Sequence, residues 1–412
     1  MQVVYATQPF PDAWTSAIFL AGPTPRDAET PSWRPEALRL LEAAGYDGVV
    51  MVPERDDGKW KSGPDAYMEQ VEWERRGLDL CDKILFWIPR DMETMPGLTT
   101  NVEFGLYASS GKIVLGAPDW AKSIRYLETA LETATGDGTR YPTLEDTILA
   151  CQTKLDGILP GVFTGRTSAG FMEQLLAERY GGERCVPLHI WVLDSFQFWY
   201  RAQTMAGNRL DDAKLLWHFW IPKAKLVFSW ALHVKVWIES EQRHKENEFV
   251  LSRTDISTVC LYCPIMSEDG ILATDIVLIR EFRSPARSAD GFVRELPGGS
   301  SFKGGQDPLH VASEEVLEET GLVIEAGRFR ALGHRQVAAT LSSHHAYLFA
   351  AELTPEEMRM AKLAADNDEA HGVDEDSERT YVEVLTFRDI LAGNQVDWAT
   401  VGMITQAVMG GE

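Results

Sequence analysis

AIFLAGP at residues 17–23, GVVMVPE at 48–54, KILFWIP at 83–89 and KIVLGAP at 112–118 are four apolar runs, each running into a proline. Short runs without polar alternation read as strands buried on both faces. The intervening segments 33–45, 67–80 and 101–110 read as helices, and further helical patterns extend to about residue 159. Strands alternating with helices predict an α/β domain over 1–159, with a parallel sheet covered on both faces. In such domains ligands bind beyond the carboxyl ends of the strands.

From 160 to 230 the pattern changes. Trp191, Phe196, Phe198, Trp199, Trp217, Phe219 and Trp220 crowd this stretch, and large aromatics mostly fill cores and interdomain contacts. A helical connector is expected there, with His218 structural. Strand-like runs return with VKVWIES, STVCLYC, ATDIVLIREF, AYLFAAEL and TYVEVLTF, and a helical pattern occupies 397–409. These predict a mixed sheet in a domain over 231–412.

Within that last domain residues 294–322 read RELPGGSSFKGGQDPLHVASEEVLEETGL. A Pro-Gly-Gly turn leads through a glycine-rich loop to a helix with Asp307 as N-cap, Pro308 in the first turn and Gly321 as the stop. Glu315, Glu318 and Glu319 share one face of that helix. Like charges so placed oppose one another, and a hard divalent cation among them would reverse the effect.

The composition, with 45% hydrophobic and 25% charged residues, is that of a globular protein long enough for two or three domains. A formal net charge of -23 argues against a nucleic-acid partner. It leaves room for small nucleotides, whose charge is met locally. Five scattered cysteines do not suggest a disulfide framework. Cys260-x-x-Cys263 has no second pair, so no zinc site is expected. The first residues lack a basic region followed by an apolar core, and the stretch 215–238 is interrupted by Pro222, Lys223 and Lys225. A cytoplasmic protein without membrane contact is expected, assembled as a homo-oligomer.

The combination of the turn 19–23, Glu74 on a helix, and PGLTTNVEFG (96–105) followed by Gly111-Lys112 resembles the nucleoside 2-deoxyribosyltransferase family and its relatives. The resemblance spans residues 15 to 130 and implies a Rossmann-like parallel-sheet fold. It implies that Glu103 is the nucleophile attacking C1′ of a nucleoside, where an anion suits the developing oxocarbenium centre. Glu74 would then handle the leaving base as proton donor. Gly22, Pro23 and Asn101 would contact substrate. Phe19 stands where family transferases often carry a tyrosine.

The 294–322 stretch resembles the Nudix box, G-x5-E-x7-R-E-U-x-E-E-x-G-U, through Glu315, Val316, Glu318, Glu319, Gly321 and Leu322. The loop from Gly299 is one residue longer, Gln306 stands in place of the first Glu, and Glu314 in place of the Arg. The resemblance implies a Nudix α/β/α sandwich that holds Mg²⁺ or Mn²⁺ on Glu315, Glu318 and Glu319, with Glu295 assisting. It further implies an ADP-ribose-like substrate, a phosphate contact from Arg283 and Glu378 as base. Together the two resemblances imply a bifunctional enzyme of nucleosides or nucleotides that cleaves an N-glycosidic bond at one site and a phosphoanhydride at the other. The alternative is that the altered box senses a nucleotide and regulates the first domain.

Overall fold

The computed structural model describes residues 1–27, 29–56, 64–156, 177–221, 226–300, 306–372 and 379–410. The chain forms two compact units, Met1–Leu251 and Ser252–Glu412.

In the first unit β1 (Gln2–Tyr5), β2 (Ala17–Ala21), β3 (Val49–Val52), β4 (Lys83–Trp87), β5 (Ile113–Gly116) and β6 (Arg140–Tyr141) form one sheet in the order β1-β3-β2-β4-β5-β6. All its pairs are parallel. Every residue of β2, β3, β4 and β5 is buried, as the unbroken apolar runs predict. The connecting helices are α1 (Arg34–Ala43), α2 (Pro64–Leu80), α3 (Leu98–Tyr107), α4 (Arg125–Thr135) and α5 (Leu144–Asp156). From β2 the chain steps outward to β3 and then crosses back to β4 on the other side of β2. The strand order therefore reverses between β2 and β4, and a crevice opens at their carboxyl ends.

The lysines that begin two of the runs are also buried. Lys83 Nζ donates to Gly111 O at 3.0 Å, and Lys112 Nζ donates to Asp79 O at 2.6 Å. Each ammonium thus caps carbonyls at the amino end of the sheet, opposite the crevice.

The helical connector over 160–230 is corrected among the described residues. A short helix at Leu188–Trp191 and α6 (Asp194–Met205) are followed by two long strands, β7 (Arg209–Ile221) and β8 (Leu226–Ile238). These pair antiparallel, and β9 (Arg243–Arg253) lies on the far side of β8. Aromatic and β-branched side chains favour strands, and Trp230, Leu232, Val234 and Val236 are buried at period two. They join the core that holds the parallel sheet, together with Val186, Trp191 and Phe196. The expected boundaries at 159/160 and 230/231 therefore give way to one after Leu251. His218 packs edge-on against His189, with ring centroids 5.1 Å apart.

The second unit is built on a mixed sheet of β10 (Ile256–Cys263), β11 (Asp275–Phe282), β12 (Phe292–Glu295), β13 (Gly298–Gly299), β14 (Arg330–Gln336), β15 (His345–Glu352), β16 (Ala370–His371) and β17 (Thr380–Thr386). Its order is β14-β15-β10-β11-β17-β16, with β12 on β11 and β13 on β10. β10 and β15 run parallel, and the other pairs antiparallel. Helices α7 (Pro308–Thr320), α8 (Pro355–Asp366), α9 (Phe387–Ala392) and α10 (Trp398–Met409) complete it.

Alternation along β10 divides the unit into layers. Val259 and Leu261 pack with Ala312, Val316, Met358 and Ala361 of α7 and α8. Cys260 packs with Phe387, Ile390, Ile404 and Ala407 of α9 and α10. Helices thus cover both sheet faces. The ends of α7 are those read from sequence: the Asp307 carboxylate accepts the Leu309 N–H at 3.2 Å, and Gly321 takes φ +69°.

Candidate functional site

The crevice between β2 and β4 gathers the residues of the first unit that carry chemistry. Gly22, immediately after β2, has φ +150°, and an added β-carbon would lie 2.1 Å from the Trp87 carbonyl oxygen. Only glycine lets the two strand ends approach this closely. We expect Gly22→Ala to destabilise the first unit by about 2 kcal/mol or more, since strain and a backbone clash add. A urea midpoint equal to wild type would show that the turn yields freely.

Pro23 follows, its carbonyl accepting from Trp33 Nε1 at 3.1 Å. Gly97, in the left-handed conformation at the start of α3, brings that helix beside Pro23, to which an added β-carbon would lie at 3.2 Å. Asn101, in the first turn of α3, accepts a hydrogen bond from Arg90, which also donates to Ser123 O at 3.0 Å. Asn101 therefore fixes Arg90 and is exposed at the same rim. Glu103 lies two residues further along α3.

Glu74 comes from α2 and is held by Gln70, four residues earlier on the same helical face. Gln70 Nε2 donates to Glu74 Oε1 at 2.6 Å and to Pro53 O at 3.3 Å, tying the carboxylate to the carboxyl end of β3. Burial pushes the Glu103 carboxyl up to about 7, the negative charge of Glu74 adds to this, and Arg34 opposes it. Burial also raises Glu74, offset in part by the Gln70 hydrogen bond and by Arg34. Two carboxyls that share one field and resist ionising are the raw material for acid and nucleophile roles divided between them.

Arg34, buried to 1% exposure, is the cation behind both. It forms an ion pair with Glu54 at 2.5 Å. It also donates to Leu20 O at 3.1 Å, Gly22 O at 2.8 Å and Thr24 Oγ1 at 3.2 Å. Arg34 thereby fixes the turn after β2 while biasing the carboxylates. Arg34, Glu54 and Gln70 were not found by sequence reasoning. One signal was available: a cation at the first position of a helix opposes the macrodipole, so Arg34 needs another reason to be there.

A parallel α/β unit with two carboxyl groups at its switch-point crevice has the architecture of an enzyme for small molecules. Residues 15–120 match the family described as nucleoside 2-deoxyribosyltransferase like. This segment, which contains the crevice, Arg34, Glu74 and Glu103, is a nucleoside 2-deoxyribosyltransferase-like domain and points to nucleoside substrates. A comparison with curated proteins finds no match. Among the described residues no helix is long and apolar enough to cross a membrane.

In the second unit the Pro-Gly-Gly turn and α7 meet. Glu319, 4% exposed, accepts the Gly298 N–H at 2.7 Å through Oε2. Glu315 lies against Gly299, where an added β-carbon would stand 2.4 Å from its Oε1. Glu318 is exposed, and its backbone carbonyl accepts the Gly372 N–H at 3.2 Å. Glu314 is exposed beside His310 at 3.3 Å. Burial raises the Glu295 carboxyl, with Arg283 opposing. Arg283 lies 2.7 Å from Glu281 and 3.6 Å from Glu295, so it is already engaged by carboxylates. Glu378 lies outside the described residues. Among the described residues no group of three or more His, Cys, Asp or Glu side chains converges as a metal-ligand set. Glu315 and Glu319 are brought to the glycine turn, and Glu318 is not. Carboxylate oxygens are the donors that a hard divalent cation takes, so these residues fit Mg²⁺ or Mn²⁺ in donor type, while only Glu315 and Glu319 stand together at the turn.

Proposed function

We propose that the first unit breaks the N-glycosidic bond of a nucleoside, with Glu103 as nucleophile and Glu74 as proton donor to the base. The observation that carries this is the juxtaposition of Glu103 and Glu74 at the switch-point crevice, in the field of buried Arg34. The Glu103 carboxylate attacks C1′, and the C1′–N bond breaks as the C1′–O bond forms. The electron pair leaves with the base, which takes the proton of Glu74. A second base then regenerates the carboxylate by transfer, or water by hydrolysis. Gln70 keeps Glu74 aimed, and Gly22 and Pro23 contour the sugar side.

We infer a second activity for 252–412, cleavage of a phosphoanhydride in a nucleoside diphosphate derivative of the ADP-ribose kind. The packing of Glu315 and Glu319 on the Pro-Gly-Gly turn supports it, as does the α/β/α layering that a Nudix domain requires. Glu315, Glu318, Glu319 and Glu295 would hold Mg²⁺ or Mn²⁺, which when bound polarises the anhydride. Glu314 and Gln306 at the altered positions favour a second reading, in which the same surface binds a nucleotide without cleaving it and regulates the first unit.

The test is incubation with Mg²⁺ and a panel of nucleosides, nucleotides and ADP-ribose, scoring free base and free monophosphate separately. Glu318→Gln is expected to remove phosphoanhydride cleavage by about 100-fold or more and to leave base release unchanged. Release of neither product by wild type from any panel member would remove both enzyme readings. Bound but uncleaved ADP-ribose would leave the sensor.

A further inference from the structure

The second unit carries a cavity of about 230 Å³ between β14 and α10. Glycine opens both walls, since a β-carbon added at Gly333 or Gly402 would meet nothing within 4 Å. Gly333 takes φ +90° at a register shift of β14 against β15, and the irregularity bends the strand there. Trp398, at the first position of α10, lines the cavity while remaining 90% exposed. Leu348 and Met403 give it an apolar floor, and Gln336 and Gln406 give it amide edges. An indole face over such a floor, with hydrogen-bonding groups at the rim, suits a flat ring that is apolar on its faces and polar around its edge. Among small ligands that describes a nucleobase.

The rim continues into a cluster of opposite character. His334, which also lines the cavity, places Nδ1 2.8 Å from Nδ1 of His345. The His345 N–H donates to Asp255 at 2.8 Å. Arg253 donates to Ser300 Oγ at 2.9 Å and lies in the field of Arg283, and His344 lies in the field of Arg253. On the other side Asp397, next to Trp398, acts on Glu295, which pairs with Arg283. Burial holds the His344 imidazole down to about 4, so it adds no charge near neutral pH. The cations at this rim are Arg253 and Arg283, whose guanidiniums supply the paired N–H donors that suit a phosphate, against the opposing charge of Asp255, Glu281 and Glu295.

We propose that this cavity binds a nucleoside phosphate, its base stacked on Trp398 and its phosphates on the side of Arg253 and Arg283. The proposal deepens the reading of the second unit as a nucleotide site and holds whether or not the bound nucleotide is cleaved.

The test is calorimetric titration of the full chain with ADP-ribose, AMP and, as a base-free probe, ribose 5-phosphate. Trp398→Ala removes the platform at an exposed position. Gly402→Leu puts an apolar side chain into the cavity at a helical position where an added β-carbon meets nothing within 4 Å and helix propensity improves. Each variant is expected to weaken ADP-ribose and AMP about tenfold or more, the range of a lost stacking contact, and to change ribose 5-phosphate less than twofold. Either variant binding both nucleotides within twofold of wild type would overturn the proposal, as would wild type binding ribose 5-phosphate as tightly as AMP. Cleavage of ADP-ribose is scored in the same samples. If wild type cleaves it and both variants keep its KM, the pocket is wrong and the hydrolase reading stands. If both variants lose binding and wild type cleaves nothing, the pocket stands and the hydrolase reading falls.

Discussion

Glu103→Gln is expected to lower base release from a nucleoside by about 10⁴-fold or more, the scale on which removing a covalent nucleophile acts. The substitution is isosteric and removes only the charge. A carboxyl whose folded pKa lies near 7 costs the fold stability when it ionises, a cost absent below about pH 4 and complete above about 7. The neutral amide escapes that cost, so the variant should unfold at or above the wild-type midpoint at pH 8, and the lost activity cannot be assigned to unfolding. The same displacement sets a pH dependence for the wild type. Attack needs one proton in the pair, on Glu74 with Glu103 ionised. The rate should therefore fall above about 7, where the pair loses its last proton, and fall again in acid, where both carboxyls are protonated. The two limbs belong to the coupled pair rather than to either residue. Base release by Glu103→Gln within tenfold of wild type would remove Glu103 as nucleophile, whatever the profile looks like.

The sequence exposed those parts of this site that local rules specify. The four apolar runs announce strands because burial on both faces leaves no alternation to confuse with a helix, and their proline ends mark where the crevice must open. Asp307 and Gly321 bracket α7 because capping is settled within a few residues. Arg34 and Gln70 were invisible for the opposite reason. The partners of Arg34 lie on four separate segments, 20–24, 54, and the carboxylates at 74 and 103. Gln70 acquires its role only when α2 is laid against the end of β3.

The second unit shows the same limit. β14, with the sequence RALGHRQ, is largely exposed and lacks an apolar stripe, so no periodicity marks it. It is a strand because β15 pairs with it. The aromatic run of β7 misled for a related reason: residues so large are compatible with a helix or a strand, and only the alternate burial of β8 beside it decides. The acidic face of α7 was legible as a pattern. That Glu319 turns inward to the Gly298 N–H while Glu318 stays exposed depends on how the glycine turn packs against the helix.

Asp82→Ala is expected to cost the first unit about 3–5 kcal/mol, the range for breaking a buried ion pair from one side. Asp82 and Arg179 are 0% and 1% exposed, and Arg179 Nη2 donates to both carboxylate oxygens at 2.8 and 2.6 Å. The same carboxylate accepts the Ala17 N–H at 2.8 Å and the Leu188 N–H at 3.1 Å. One side chain thus joins the start of β2 to the segment that leads into the short helix at Leu188. Arg179 Nη1 donates in addition to Val186 O at 2.8 Å. Alanine leaves a guanidinium and two backbone N–H groups buried without their shared acceptor. Spread over a unit of this size the loss corresponds to a fall in Tm on the order of 10 °C. Two controls separate burial from charge. Arg39→Ala, which breaks the exposed pair with Glu36, should leave the unfolding midpoint essentially unchanged. Asp82→Ala combined with Arg179→Met should recover part of the loss, because the stranded charge is then gone while the two N–H groups remain unsatisfied. A single Asp82→Ala variant that loses under about 1 kcal/mol, or a double variant less stable than the single, would show that water reaches this pair and that the join between β2 and the segment at Leu188 is made elsewhere.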